Sequence, residues 1–576
     1  MGAAVACSHA SPRDRDLMPL PAVSDYGREL TADQQVSQVL NRLAFGPRSG
    51  DVARVRQMGV DRWIARQLSP QQVPDTAAEA FLARFAAYHA SPIELARDYP
   101  RPERVFEERR QRGDTSRMLS PTDSMAYRGA QQRAGQLNAS LLAVKVGRAV
   151  ISERQLQEVM TDFWENHFNV DIRKNGQERY YLSDYDREVI RAHALGKFRD
   201  LLDAVAKSPA MLYYLDNWES VADSAEPTLM PRPGSGIGPR QRYSIVAAEM
   251  MQTAGAMPQR PRRPRGLNEN YGRELLELHT LGVDGGYTQQ DVINVARAFT
   301  GWSVDRSKEQ PDGGGFIFRP RVHDAGTKVV LGHVLPAGRG IEDGENVLDI
   351  VSRHPATARF IATKLCRRFV SDTPPPGLVD RVAATFTATG GDLRAVMWTL
   401  TTSPDFYSRA AYRAKVKSPF EVVVSALRAV NAAPDSTPRS AQFVAQLGEP
   451  LFQHQAPNGY PETGESWMNS GAILARINFG LAVAANRVPG ASLDRWPDAA
   501  ALHDAPRAAQ VDGVVGAILG GDVSPDTRQI LLSGEHPFLA RADSTGGAQP
   551  MREVRNPQGL AQVVGLALGA PEFQRR

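Results

Sequence analysis

The sequence predicts a mainly α protein, one large multi-helix assembly with a single small β hairpin near residues 316–332. Three observations point there. Helix-start signals recur, with Ser91-Pro92-Ile93-Glu94 and Ser418-Pro419-Phe420-Glu421 each placing a capping serine, a first-turn proline and a glutamate facing free amides. Apolar residues fall on stripes of helical spacing through most of the chain. Period-two alternation occurs clearly in one place, where Phe316 to Val322 and Thr327 to Leu331 flank the turn-like His323-Asp324-Ala325-Gly326.

In chain order, Leu30 to Leu68 is helical, broken by Ala44-Phe45-Gly46-Pro47 and restarted after Gly59. Arg101 to Arg117 is dense in charge and reads as a solvated helix or loop. Ala139 to Phe168 forms two helices meeting near Ile151-Ser152; on the second, Leu156, Met160, Phe163, Trp164 and His167 share one stripe. Tyr180 to Leu202 and Ser208 to Trp218 follow. Glu219 to Gly266 is rich in proline, glycine and arginine around one helical piece, Tyr243 to Gln252, and reads as an insertion. Asn268 to Leu281 is helical to Gly282, and Thr288 with Asp291 caps Val292 to Trp302. His354-Pro355 starts another helix, Leu378 to Thr389 precedes a turn at Gly390-Gly391-Asp392, and the last third is helical around the polar loop Phe452 to Trp467. The resulting division is 1–26 leader, 27–218 N-terminal helical part, 219–266 insertion, 267–490 helical core with the hairpin, and 491–576 C-terminal helical part.

Composition narrows the classes. The 576 residues are 42% hydrophobic and 23% charged, which excludes disorder through most of the chain. No apolar run approaches the roughly 18 residues of a membrane span. With 68 basic and 64 acidic residues the net charge is +4, and only nine of the basic residues are lysine. The basic cluster Arg260, Arg262, Arg263 and Arg265 is split by prolines without interleaved aromatics, so no nucleic-acid partner is expected. Two cysteines cannot build a disulfide framework. Cys366 reads as a half-buried helical residue. Cys7 ends Ala4-Val5-Ala6-Cys7, which resembles the end of a lipoprotein-type signal, truncated, before a polar leader; it predicts export and a peripheral or lipid-anchored membrane association.

A set of motifs in fixed order resembles a large bacterial family, domain-of-unknown-function family eighteen-hundred. They are Asn41 to Pro47, Phe163-Trp164-Glu165-Asn166-His167-Phe168, Asn268 to Gly282, Gly285-Gly286-Tyr287-Thr288, Thr300-Gly301-Trp302, His323-Asp324, His354 to Ala358 and Lys417 to Glu421. The resemblance implies a helical, often exported protein, periplasmic or at the cell surface, encoded beside a second exported family that looks sulfatase-like and is a candidate partner. It carries no activity over. Two departures stand out: Glu165 occupies the place of the family's usual second histidine, and the insertion after Trp218 separates segments that are normally close.

The candidate catalytic residues are His167, Glu274, His279, His323 and Asp324. His167 turns inward with its stripe, and a buried imidazole is either a core residue bonded to backbone or a base or metal ligand. At about 100° per residue, Tyr271, Leu275 and Leu278 mark a buried face, with His279 and Glu274 about 40° to its two sides. Glu274 then serves as a general acid, a metal-holding carboxylate or half of a salt bridge. His279 either supports it or complements the helix end. Glu277 faces outward, and its two-residue spacing from His279 is incompatible with a zincin on a regular helix. His323-Asp324 is an acid–base pair at a pocket rim or a turn pair. His454, Asn458, Tyr460, Glu462, Glu465 and Trp467 in the polar loop suit a polysaccharide. No Gly-x-Ser-x-Gly motif occurs and no cofactor can be named. Two functions follow: an exported hydrolase of an envelope or environmental polymer, or a non-catalytic envelope scaffold bound to the neighbouring sulfatase-like protein. In the first, His167, Glu274 and a third of these residues share one solvent-reached pocket; in the second they lie apart, each locally satisfied.

Overall fold

Serine–proline starts organise much of the chain in the computed structural model, which describes residues 20–21, 26–114, 116, 118–174, 176–230, 266–306, 312–537, 539 and 557–576. Cys7, the basic cluster at 260–265 and the Tyr243–Gln252 piece lie outside the described residues. Ser91 and Glu94 form a reciprocal capping box on Pro92–Asp98, as do Ser418 and Glu421 on Pro419–Ala429 and Thr288 and Asp291 on Gln289–Ala298. His354 caps Pro355–Phe369 through its ring, and Asp392 caps Leu393–Thr401. A further start of this type, Ser120 before Pro121, opens Pro121–Ile151, so this helix begins well before the expected Ala139.

Helices dominate the described residues, with four three-residue strands. Strand β1 (Trp302–Val304) pairs antiparallel with β2 (Phe316–Phe318), and β3 (Lys328–Val330) with β4 (His333–Leu335). The small hairpin of the predicted fold is therefore present, but the two predicted strands do not pair with each other. The hairpin turns at Leu331-Gly332, both at positive φ as a two-residue turn requires, whereas His323-Asp324 connects β2 to β3.

One apolar core joins residues from all three helical parts, from Leu30 through Trp164 and Trp302 to Phe573. Cys366 is fully buried in it, and burial pushes its thiol up to about 12. Arg109, in the stretch expected to be solvated, is buried and tied to Asp114, Ser116 and Met118. The two sides of the insertion meet where Val221 N donates to Gly266 O at 3.3 Å. Among the described residues no helix is long and apolar enough to cross a membrane.

Two details position the site described next. Pro121–Ile151 and Gln155–His167 lie either side of a short turn, which brings Lys145 of the first against Asp162 of the second at 3.1 Å. Helices Ser470–Ala484 and Gly559–Gly569 approach closely through glycine, since a Cβ on Gly480 would lie 2.6 Å from the Gly565 carbonyl oxygen. That contact seats the segment after Gly569 beside Lys415–Lys417, where Arg576 N donates to Lys415 O at 2.8 Å. Replacing Gly480 by leucine is expected to lower the unfolding free energy from urea titration by about 1–3 kcal/mol, the usual cost of overpacking. Gly516→Ala, on an open helical position of Arg507–Ile518, is expected to raise it by about 0.5–1 kcal/mol.

Candidate functional site

His167, the last residue of Gln155–His167, sits 3% exposed in a ring cage of Phe163, Trp164, Phe168, Phe360 and His279. Its Nε2 donates to the His279 carbonyl oxygen at 3.1 Å, which leaves Nδ1 as a lone-pair nitrogen, and no donor meets it. His279 arrives there because the chain widens into a π-helical stretch over Leu275–Thr280, with Leu281 N donating to Leu276 O at 2.7 Å. The wider turn buries Leu276 and His279 and leaves Leu278 half-buried, so the regular wheel named the wrong leucine. Burial, then the nearby Lys364 ammonium, holds both imidazoles neutral, with His279 down to about 3.

The other candidates stand elsewhere. Glu274 is half-buried without a hydrogen bond or ion pair; burial and then Glu277 raise its pKa, while Arg273 opposes. His323 is fully buried, with Nδ1 on the Thr300 carbonyl at 2.8 Å and Nε2 3.5 Å from Asp343. Asp324 takes both Nε (2.7 Å) and Nη2 (3.1 Å) of Arg297, and Lys328 bridges the Asp324 carbonyl and the Asp343 carboxylate. The structure thus brings His167 and His279 together, and joins His323 and Asp324 in a closed network with none of the other three.

The strongest concentration of buried charge escaped the sequence reading. Lys145 joins Asp162 to Glu165 and lies over the rings of Phe420 and Phe452. Glu165 reaches Asp186, which is held by Arg191 at 3.0 Å and by the Tyr88 hydroxyl. Burial raises the Glu165 pKa; burial also works against the Asp186 charge, but Arg191 and hydrogen bonds from Glu165 and Tyr88 hold it low. Within the pair burial thus favours the proton on Glu165 over Asp186, while the Lys145 ammonium opposes it. Nearby, Arg368 and Arg576, each 2.9 Å away, hold Glu421 at about 2 despite its burial. Glu449 is pushed up to about 7 by burial and then by Asp162, although Phe420 N donates to it at 2.8 Å.

These groups wall two small hollows. One, about 50 Å³, is lined by Asp162, Arg368, Lys415, Glu421, Glu449 and Trp467 among others; its neighbour, about 40 Å³, is lined by Lys145, Glu165 and Phe452. Asp162, Asn166, Glu449 and Tyr460 belong to both, and none of the five sequence candidates lines either. Each has room for a few waters. The predicted polar loop forms the outer wall. Asn166 pins it through both amide atoms to the Tyr460 backbone (3.0 and 2.7 Å), and Asn169 donates to His454 and Ala456 carbonyls at 2.9 Å. Tyr460 donates to the Pro450 carbonyl and Trp467 to that of Pro461, and the Tyr460 ring packs against His454 and Trp467, so these groups brace the loop. Glu462 takes Lys364 at 2.6 Å, linking the loop to the ammonium beside the two histidines. Among the described residues no three His, Cys, Asp or Glu side chains gather to hold a metal ion.

The chain matches the model of a family described as protein of unknown function (DUF1800) over residues 38–575. It belongs to the DUF1800 family. No curated protein and no solved structure matches it. The matched residues take in all five sequence candidates and every residue lining the two hollows except Arg576, so this DUF1800 chain carries the buried carboxylates within the family domain itself.

Glu449 keeps its proton up to about pH 7 in the folded chain and only to its ordinary 4.5 when unfolded. Between these values unfolding releases a proton, so its stabilising contribution is complete below 4.5 and is lost as pH rises to about 7. Glu449→Gln is therefore expected to gain urea resistance relative to the wild type as pH rises through that window, with a flat difference outside it. A pH-independent difference would contradict the neutral carboxyl.

Proposed function

We propose that this DUF1800 protein is an exported hydrolase of a hydroxyl-rich envelope or environmental polymer, with Glu449 as proton donor and Asp162 as the carboxylate that positions water. One observation carries the reading: a carboxyl with its pKa near 7 stands beside a second carboxylate in a hollow under an aromatic loop. A donor is most effective when its pKa lies near the working pH. The hollow's volume suits a reacting bond and a water, while the chain of the polymer would run outside, across Trp467 and the exposed Pro461. Carboxylate pairs of this kind serve glycosidic cleavage, which needs one acid and one base. In this reading His167 and His279 position the loop through Lys364 and Glu462 and touch no substrate. Export rests on the family resemblance and on Ala4-Val5-Ala6-Cys7.

The second reading, a non-catalytic envelope scaffold that binds a neighbouring exported sulfatase-like protein, is favoured by the separation of the five sequence candidates, of which His323 and Asp324 are tied into an internal network with Lys328 and Asp343 and none lines either hollow. The two separate in a reducing-end assay over a panel of envelope and plant polysaccharides. Glu449→Gln is expected to lose about 10²–10⁴-fold in rate with circular dichroism unchanged, and Asp162→Asn to lose rate together with stability, because it also removes a partner of Lys145. Wild-type turnover is expected to fall above about pH 7 as Glu449 loses its proton. A folded wild type inert across the panel, or variants of full activity, would favour the scaffold.

A further inference from the structure

A second cavity, of about 180 Å³, opens between Ala32–Arg42, the Gly520-Gly521 turn after Arg507–Ile518, and the paired segments carrying Lys417 and Arg576. Lys417 is 3% exposed; its Nζ reaches Ser425 Oγ at 3.2 Å and lies 4.0 Å from the centre of the Phe573 ring, and it has no ion pair. Close by are three buried guanidiniums. Arg42 spends Nη2 on the Ala411 carbonyl at 2.5 Å and leaves Nε and Nη1 without acceptors. Arg476 reaches Gln574 at 2.9 Å and leaves Nε and Nη2. Arg576 also lines the cavity and leaves Nη1. The carboxylate that answers them is Glu421, already shared by Arg368 and Arg576.

Four buried cations share Glu421, with Asp372 acting also on Arg42 and Glu449 on Arg476, and this is a costly arrangement, both in charge and in unmade hydrogen bonds. The cost shows in Lys417, which burial and then the neighbouring Arg576, Arg413 and Arg476, opposed by Glu421, bring down to about 7. Carboxylates at the cavity wall give no relief, because Asp33 is taken by Arg56 at 2.7 Å and Glu572 by Ser524 N and Thr527 Oγ1 at 2.9 Å. Of these cations Lys417 and Arg576 line the cavity, so an anion seated there would supply the missing negative charge beside them, and charge-assisted bonds to oxyanions are the strong ones.

We propose that this cavity is a binding site for a phosphate or sulfate group, held by Lys417 and Arg576 with the exposed Arg575 at its mouth. The volume exceeds one tetrahedral oxyanion, so the group is carried either free or on a small ester. The site does not depend on the hydrolase reading, although Arg576 walls both hollows.

The test uses the full chain, titrated with inorganic phosphate, sulfate and glycerol phosphate at constant ionic strength by calorimetry and thermal unfolding. Saturating ligand is expected to raise the unfolding midpoint by about 2 °C or more, because it binds the folded chain alone. Lys417→Met is expected to weaken binding by at least about tenfold, and Lys417→Arg to restore most of it. Arg575→Ala, at an exposed position that does not bear on folding, is expected to weaken it as well. Tighter binding of glycerol phosphate would identify an ester, and equal binding a free oxyanion; both support the site. No heat and no shift with any of the three anions, or equal responses from the wild type, Lys417→Met and Arg575→Ala, would overturn it.

Discussion

The Lys145 ammonium is the constraint from which the rest of the site follows. It comes from the last two turns of a 31-residue helix, is 10% exposed along its side chain, and is shared by two carboxylates of the next helix. A buried cation of this kind tolerates the loss of neither partner, since stranding one charge costs about 3–5 kcal/mol. It therefore fixes the rotation of Gln155–His167 about its axis. With that rotation fixed, Trp164 and His167 enter the core, Asp162 faces Glu449, and Asn166 is presented to the Tyr460 backbone. Packing alone would set the depth of this helix; the ion pair sets which atoms meet across the hollow.

Charge and proton are distributed so that neighbouring carboxyls behave differently. Glu421 has two arginines and stays ionised, whereas Glu449 has a backbone amide and a neighbouring carboxylate and keeps its proton into the neutral range. Glu165 and Asp186 are likewise driven apart. Such differences arise where burial is similar and the counter-charges are not, and pairs of this sort are what acid–base chemistry requires. The same environment depresses the imidazoles of His167 and His279, which removes them from proton transfer near neutral pH.

What could be read from the residues was what is local. Capping by Ser91, Ser418, Thr288 and Asp392 is decided within four residues, and those helices begin where expected. The inward turn of His167 follows from its stripe, and the polar loop from its composition. Strand partners were not legible, because β1 meets β2 across an intervening loop and a three-residue strand has too few positions to identify its mate. Nor was the π-helical stretch, since five-residue spacing leaves no mark in a four-residue pattern; that is why Leu278 was read as buried in place of Leu276. Asp162 and Glu165 lie off the apolar stripe of their helix, and Glu449 lies in a turn between Gly448 and Pro450 with no periodicity at all. One signal was available. In a chain so poor in lysine, Lys145, Lys364, Lys415 and Lys417 all fall in or beside the two sites.

The bond from His167 runs to the main chain of residue 279 and not to its imidazole. The acceptor is thus set by the path of the backbone, and exchanging the side chain at 279 leaves it in place. The two histidines are in this sense genetically separable: a lineage could change the second while retaining the seat of the first, provided the widened turn persists. A deletion of one residue within 275–280 would do the reverse, tightening the helix and withdrawing the carbonyl while every side chain of the cage stayed the same.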